Sequence, residues 1–182
     1  MKRRKIIKSI GFASPFALVP GLSMAKSNDT NSWLKEFTER WDVSELYTTE
    51  VFNAMPDKFL DFKPVPDVMS FGKQFLHLAM SNSGYATVIK NGDTHLEEPG
   101  KIERQVIYNY LAETSNQFHS VLSDLDEADL YSKDHKNKNE DMWKDLSIGD
   151  ILLLAYHHTA HHRGQAIVYL RLKGIEPPKY RF

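Results

Sequence analysis

Tyr156-His157-His158-Thr159-Ala160-His161-His162-Arg163-Gly164-Gln165 sets four of the chain's eight histidines within six residues. The flanks read as helix: Ile151 to Ala155 precede the cluster and Ala166 to Leu170 follow it. Ser147, with Asp150 three residues on, has the spacing of a capping-box variant, and Gly174 ahead of Pro177 and Pro178 marks a stop. The expected helix covers Ile148 to Lys173. On it, residues four apart lie about 6 Å apart along the axis and roughly 40° around it. Two imidazoles so placed can share one metal ion. Two such pairs exist, His157 with His161 and His158 with His162. The series Ile151, Ala155, His158, His162, Gln165, Tyr169, Leu172 alternates steps of four and three, the rhythm of a bundle-facing stripe. The rival series Leu154, His157, His161, Gly164, Val168 carries glycine at its centre. The rhythm therefore favours His158 and His162 as the inward pair.

A plainer reading is a polar stripe of histidines without a ligand. Its difficulty is chemical: neutral imidazoles buried beside leucine need partners, and a metal ion is one.

Composition narrows the chemistry. The 182 residues suit one domain with a sizeable core. There is no cysteine, hence no disulfide, thiolate ligand or cysteine nucleophile. A metal would be held by His, Asp, Glu or water. Setting aside the five basic residues Lys2, Arg3, Arg4, Lys5 and Lys8 moves the formal net charge from −1 to −6. A mildly acidic domain is a poor candidate for nucleic-acid binding, which uses basic faces.

Outward from the cluster, Met1 to Ala25 reads as an export signal. A basic start leads to an apolar run, Ile10 to Leu22, broken by Pro15 and Pro20, and Ser23-Met24-Ala25 offers a cleavage site. The run is too short to span a membrane well, so no stable span is expected once it is removed. Arg3-Arg4-Lys5-Ile6-Ile7-Lys8 resembles a twin-arginine signal. The expected destination is periplasmic or extracellular. Residues 26–31 read as a linker and 32–182 as the folded domain.

Three further helices are expected. The first runs from Ser32 to Met55, marked by Trp33, Phe37, Trp41 and Phe52 and ended by Pro56. The second covers Ser70 to Lys90, where His77 sits in a nearly continuous apolar segment, and the third covers Lys101 to Leu125. Alone, His77 reads as a hydrogen-bonded core histidine; beside a two-histidine helix it is the natural third ligand. Asp126 to Asp145 reads as a charged, wet connection that includes His135, with Trp143 folding back over one end. His95 and His119 read as solvated. No strand pattern competes, and four amphipathic helices indicate an all-α four-helix bundle.

These residues resemble the DinB-like (DinB/YfiT) metalloenzymes. The resemblance rests on His158-x-x-x-His162-Arg163-Gly164-Gln165, on Ser70 to Ala79 around His77, on Asp61-Phe62-Lys63-Pro64, and on the ending Gly174-Ile175-Glu176-Pro177-Pro178. It covers Trp33 to Phe182. It implies a four-helix bundle holding a divalent metal through His77, His158 and His162, with His157 and His161 off the ligand positions. Nickel and zinc both occur in the family. Several members are transferases for low-molecular-weight thiols such as bacillithiol or mycothiol, and dimers are common, so a homodimer is an expected possibility.

Three histidines without a fixed fourth ligand leave an open position, the mark of catalytic rather than structural zinc sites. The set suits Zn(II), Ni(II) or Fe(II). A water bound there would be drawn towards hydroxide, or a substrate thiol towards thiolate. The expectation is an exported metal-dependent hydrolase or thiol S-transferase acting on a small molecule; the alternative is a non-catalytic metal- or ligand-binding bundle. Arg163 is expected to pair with an acid across helices or to hold an anionic substrate group, and Gln165 to hydrogen-bond near the metal. No general base stands out.

Overall fold

Serine hydroxyls start three of the helices. Ser32 accepts from the amide of Lys35, Ser70 from that of Lys73, and Ser147 from that of Asp150. The Asp150 carboxylate in turn accepts from the Ser147 amide, completing the capping box. Each such cap stabilises a helix start by about 1 kcal/mol. In the computed structural model, which describes residues 32–92 and 96–181, these signals open α1 (Trp33–Ala54), α2 (Phe71–Ile89) and α4 (Ile148–Leu172). The remaining helix, α3 (Arg104–Asp124), has no side-chain cap and begins three residues later than its apolar pattern suggests. α4 stops where Gly174 adopts φ +70°, a conformation that favours glycine. The described residues are all-helical apart from turns and loops, with two short 3-10 turns at Asp57–Phe59 and Asp129–Tyr131. No described helix is long and apolar enough to cross a membrane. The export signal, the twin-arginine string, the linker and His95 lie outside the described residues.

Two apolar clusters show how the helices run. One gathers Val51, Phe52 and Met55 with Phe71, Phe75, Ile107 and Leu170. The other gathers Phe37 and Trp41 with Ile89, Phe118, Leu122 and Ile151. α1 and α4 thus meet the clusters in opposite order along the chain from α2 and α3. The topology is up-down-down-up: α2 and α3 are parallel, and the described segment 96–103 runs back along α2 from Ser83, which Leu96 meets, to Gly72, beside Ile102. That segment is tied down where Leu96 N–H donates to Ser83 Oγ and Tyr110 Oη–H donates to the Leu96 carbonyl. α2 packs against α3 and α4, α1 packs against α4, and α1 against α3 is the loosest seam.

Between the two clusters lies a belt of buried polar side chains: Ser44, Thr48, Asn82, Thr114, Thr159, His162 and Arg163. Burying such groups is tolerable only with partners. This belt is where the chemistry sits.

The stripe on α4 differs in detail from its reading. Ile151, Ala155, His162 and Tyr169 are buried, but Leu172 is exposed, because the helix ends there and has nothing left to pack on. Leu154, His157, His161, Gly164 and Val168 all face solvent. His135 also departs from expectation. It is fully buried within the charged connection, where its Nε2 meets the Leu146 carbonyl at 3.2 Å. The Lys136 N–H to Val88 carbonyl bond ties the connection to the end of α2, and the Ile148 N–H to Ser132 carbonyl bond closes it beside the start of α4. Trp143 packs on the second cluster with its ring 6.1 Å from that of Tyr85.

Candidate metal centre

His77 comes from the middle of α2, and His158 and His162 from successive turns of α4. Their rings converge at the outer edge of the α2–α4 seam. Ring centroids are 4.7 Å apart for His77 and His162, 5.2 Å for His77 and His158, and 4.4 Å for His158 and His162. One ring nitrogen of each lies within 4.8 Å of the other two. His162 Nε2 is 3.1 Å from His158 Nε2. Two nitrogens that each lie about 2.0–2.1 Å from one ion in a tetrahedral or octahedral shell are separated by roughly 2.9–3.4 Å. The observed spacing on α4 falls in that range without rearrangement.

A hydrogen-bond chain fixes which nitrogen of His162 points inward. Tyr169 Oη–H donates to the Met69 carbonyl at 3.0 Å, so its oxygen is free to accept from Gln74 Nε2. Gln74 Nε2 also donates to Gln165 Oε1 at 3.0 Å. The amide end of Gln74 is thereby committed, and its Oε1 faces His162 Nδ1 at 2.6 Å. An amide oxygen only accepts, so His162 carries its proton on Nδ1 and presents the Nε2 lone pair to the cluster. A partner of this kind orients and strengthens a metal-ligating imidazole. Gln165 continues the chain outward, its Nε2 donating to His161 Nε2 at 2.7 Å. Gln165 thus supports Gln74 and reaches the centre through it. His158 lacks such support: its Nδ1 is buried without a hydrogen-bond partner, and the ring is bounded by Tyr85, 6.0 Å away and edge-on.

The rings are held neutral. Burial, followed by the positive potential of neighbouring histidines, lowers His162 to about 3 and His158 to about 4. Burial also lowers His77, with Glu98 pulling its pKa back up and Lys73 pushing it down. Neutral imidazole is the metal-binding form, so the donor set, its spacing and its protonation all fit a divalent ion. Glu98 and Lys73 pair with each other beside His77. Burial raises the Tyr85 phenol, which keeps it protonated.

Arg163 turns away from this cluster. Its guanidinium crosses to α1, where Nη1 donates to the Ser44 carbonyl, Ser44 Oγ and Thr48 Oγ1 at 3.0, 2.7 and 3.1 Å. The group also lies over the Tyr47 ring, 4.8 Å from its centroid. The expected ion pair is therefore replaced by neutral acceptors and an aromatic face, since α1 offers no carboxylate at that depth. His119 is not simply solvated either: it lies 2.8 Å from Glu45 and 3.6 Å from Asp42. Gln74, Tyr85, Lys73 and Glu98 escaped the sequence reading. Gln74 precedes His77 by three residues, a same-face helical spacing that was available as a signal.

Comparison with known proteins agrees with the fold. The family model for the DinB superfamily matches residues 40–166. A DinB-like protein of Bacillus cereus has a similar structure, with TM-score 0.67 and 19% identity, covering 80% of this chain and 95% of that one. A DinB-like protein of Bacillus subtilis gives TM-score 0.63 and 21% identity, covering 80% and 97%. No curated protein matches the chain.

Proposed function

This chain belongs to the DinB superfamily, and from that premise we propose that it is an exported metalloenzyme whose divalent ion is held by His77, His158 and His162. The observation that carries the reading is the convergence of three neutral imidazoles, one oriented by Gln74, at a partly open seam. The proposed organisation is a twin-arginine-like signal over residues 1–25, a linker over 26–31 and the bundle over 32–182. Zinc and nickel suit the nitrogen donors best, with iron(II) the third choice.

When bound, the ion would supply Lewis acidity, lowering the pKa of a thiol or water that meets its open position. The chain's own residues then define the site around it. Gln74 holds the His162 ring in one tautomer. Tyr85, protonated and beside His158, has a hydroxyl to donate to a bound small molecule. Glu98, the carboxylate that His77 feels, is committed to Lys73. With no free carboxylate base beside the rings among the described residues, transfer of a low-molecular-weight thiol to an electrophile is favoured over hydrolysis. A thiol with a pKa near 8.5 gives up its proton to solvent once its sulfur is stabilised as thiolate; attack by water gains more from a placed base.

The test is elemental analysis of purified mature protein expressed with zinc and nickel present, beside His77→Ala, His162→Ala and His161→Ala. The expected result is about one ion per chain in wild type and His161→Ala and a small fraction of that in the other two. Metal-free wild type would overturn the proposal. Thiol consumption in the presence of an electrophile should follow metal content; bound metal with no turnover of thiol, ester or amide substrates would leave a binding protein instead.

A further inference from the structure

The loosest seam of the bundle, α1 against α3, lies diagonally across from the α2–α4 seam that carries the histidines. It opens into a cavity of about 280 Å³ that reaches the polar belt. Its walls are apolar, with Leu78 and Leu111 inside and Leu46 and Tyr108 at the rim. Leu46 and Tyr108 are each about half exposed, although both belong to large side-chain types that helices usually bury.

The floor holds a polar group that faces the cavity. Asn82 is 94% buried and lines the cavity, being only 6% exposed. Its Oδ1 has one weak contact, from Thr159 Oγ1 at 3.4 Å. Its amide nitrogen has no partner among the described residues. If the amide is turned the other way round, the oxygen is left alone instead, so one end of Asn82 has no protein partner in either case. The other floor hydroxyls are committed: Thr114 donates to the Tyr110 carbonyl, and Thr48 donates to that of Ser44. That end of Asn82 opens onto the cavity, where a polar group of a ligand can reach it.

The mouth is acidic. Asp42 and Glu45 stand one helical turn apart on α1 and line the opening. His119 touches both from α3, and the trio is net negative whichever form the imidazole takes.

We propose that this groove binds a small organic cation: a protonated amine at Asp42 and Glu45, a short apolar body between Leu46, Leu111 and the face of Tyr108, and a polar end hydrogen-bonded to Asn82. Each element answers to one part of such a molecule. The two carboxylates select positive charge, and an apolar cavity with a few convergent polar groups is the usual form of a small-molecule site. The site is independent of His77, His158 and His162 and does not rest on their binding metal.

The experiment is calorimetric titration of the mature protein with tyramine, phenethylamine and agmatine, and with 2-phenylethanol as the uncharged counterpart of phenethylamine. At least one amine should bind tighter than 1 mM, by the usual scale of small-ligand affinities, and at least tenfold tighter than 2-phenylethanol. Asp42→Asn with Glu45→Gln should weaken it about tenfold or more. Asn82→Ala should weaken tyramine, which carries a distal hydroxyl, more than phenethylamine. Ala112→Trp places bulk on an exposed part of the wall and blocks the cavity without touching the floor, so it should abolish binding in a protein with unchanged circular dichroism. His77→Ala should leave binding unaltered. Failure of all three amines, or equal affinity in Asp42→Asn/Glu45→Gln, would overturn the proposal. So would sedimentation showing a dimer that Leu46→Arg dissociates, since a second copy would then occupy the groove.

Discussion

Gln74 Oε1 lies 2.6 Å from His162 Nδ1, across the α2–α4 seam and one helical turn from His77. One side chain therefore sets the tautomer of a histidine on the neighbouring helix. Gln74→Ala removes the acceptor but leaves all three imidazoles in place. Loss of a partner of this kind typically lowers metal affinity by 10–100-fold, and that is the expected range in competition against a chromophoric chelator. Gln74→Glu keeps an acceptor oxygen and should retain most of the affinity. Equal affinity in wild type and Gln74→Ala would show that His162 is held by packing alone.

Acid should destabilise the metal-free protein before its carboxylates titrate. In the folded chain His162 is lowered to about 3 and His158 to about 4, chiefly by burial, against about 6.5 when unfolded. Between these values the unfolded chain holds more protons. Stability therefore rises with pH across the window, and is lost as pH falls from about 6.5 towards 4. A single ring kept neutral costs up to about 1.4 kcal/mol per pH unit there. Urea unfolding of chelator-treated protein at pH 7, 6 and 5 should show this slope, and His162→Gln should flatten it. Identical slopes in both proteins would place the acid sensitivity elsewhere.

The helices were legible because their signals are local. Ser32, Ser70 and Ser147 cap where the apolar spacing starts, and Gly174 ends α4 in the conformation that favours glycine. The meeting of His77 with His158 and His162 was legible through the four-residue spacing and the family resemblance. Topology was not: nothing in 96–103 announces that it runs back along the bundle, because Leu96 and Ile102 are ordinary loop residues until they meet Ser83 and the first core. His135 was misread for a similar reason, since a run of charges describes the outside of a loop and says nothing of the one ring it folds around. Arg163 shows the limit of pairing rules. An arginine on an inward face suggests a carboxylate across from it, yet carbonyl, hydroxyl and aromatic groups serve, and which of them is present depends on the depth at which α1 packs.

Arg163 should matter for folding and leave the metal in place. Its guanidinium is buried, donates to two residues of α1 and covers Tyr47. Arg163→Met removes the charge-assisted donor shared by the Ser44 carbonyl, Ser44 Oγ and Thr48 Oγ1; the expected loss is about 2–4 kcal/mol. Arg163→Lys keeps the charge without the planar fork and should recover only part of it. Denaturant unfolding measures the loss, and metal content of the folded fraction should stay at the wild-type level. Metal loss in Arg163→Lys without loss of stability would instead tie the residue to the site.

Two glycines on α2 make opposite demands, which tests how tightly the helix is wedged. A Cβ on Gly72 would meet Ile102 Cγ2 at 2.5 Å, Ile107 Cδ1 at 3.1 Å and the Leu60 carbonyl at 3.3 Å. That carbonyl also accepts the Gly72 N–H at 2.8 Å, so it cannot retreat without breaking a bond. Overpacking of this kind costs about 1–3 kcal/mol, more than the helix-propensity gain of about 1 kcal/mol on replacing glycine. Gly84, two turns beyond His77, has nothing within 4 Å of the same position. Gly72→Ala should therefore destabilise and Gly84→Ala stabilise, by about 0.5–1 kcal/mol in the latter case. Thermal unfolding of the two variants side by side decides it. If both moved in the same direction, the close approach of segment 96–103 to the start of α2 would not be the constraint that the geometry describes.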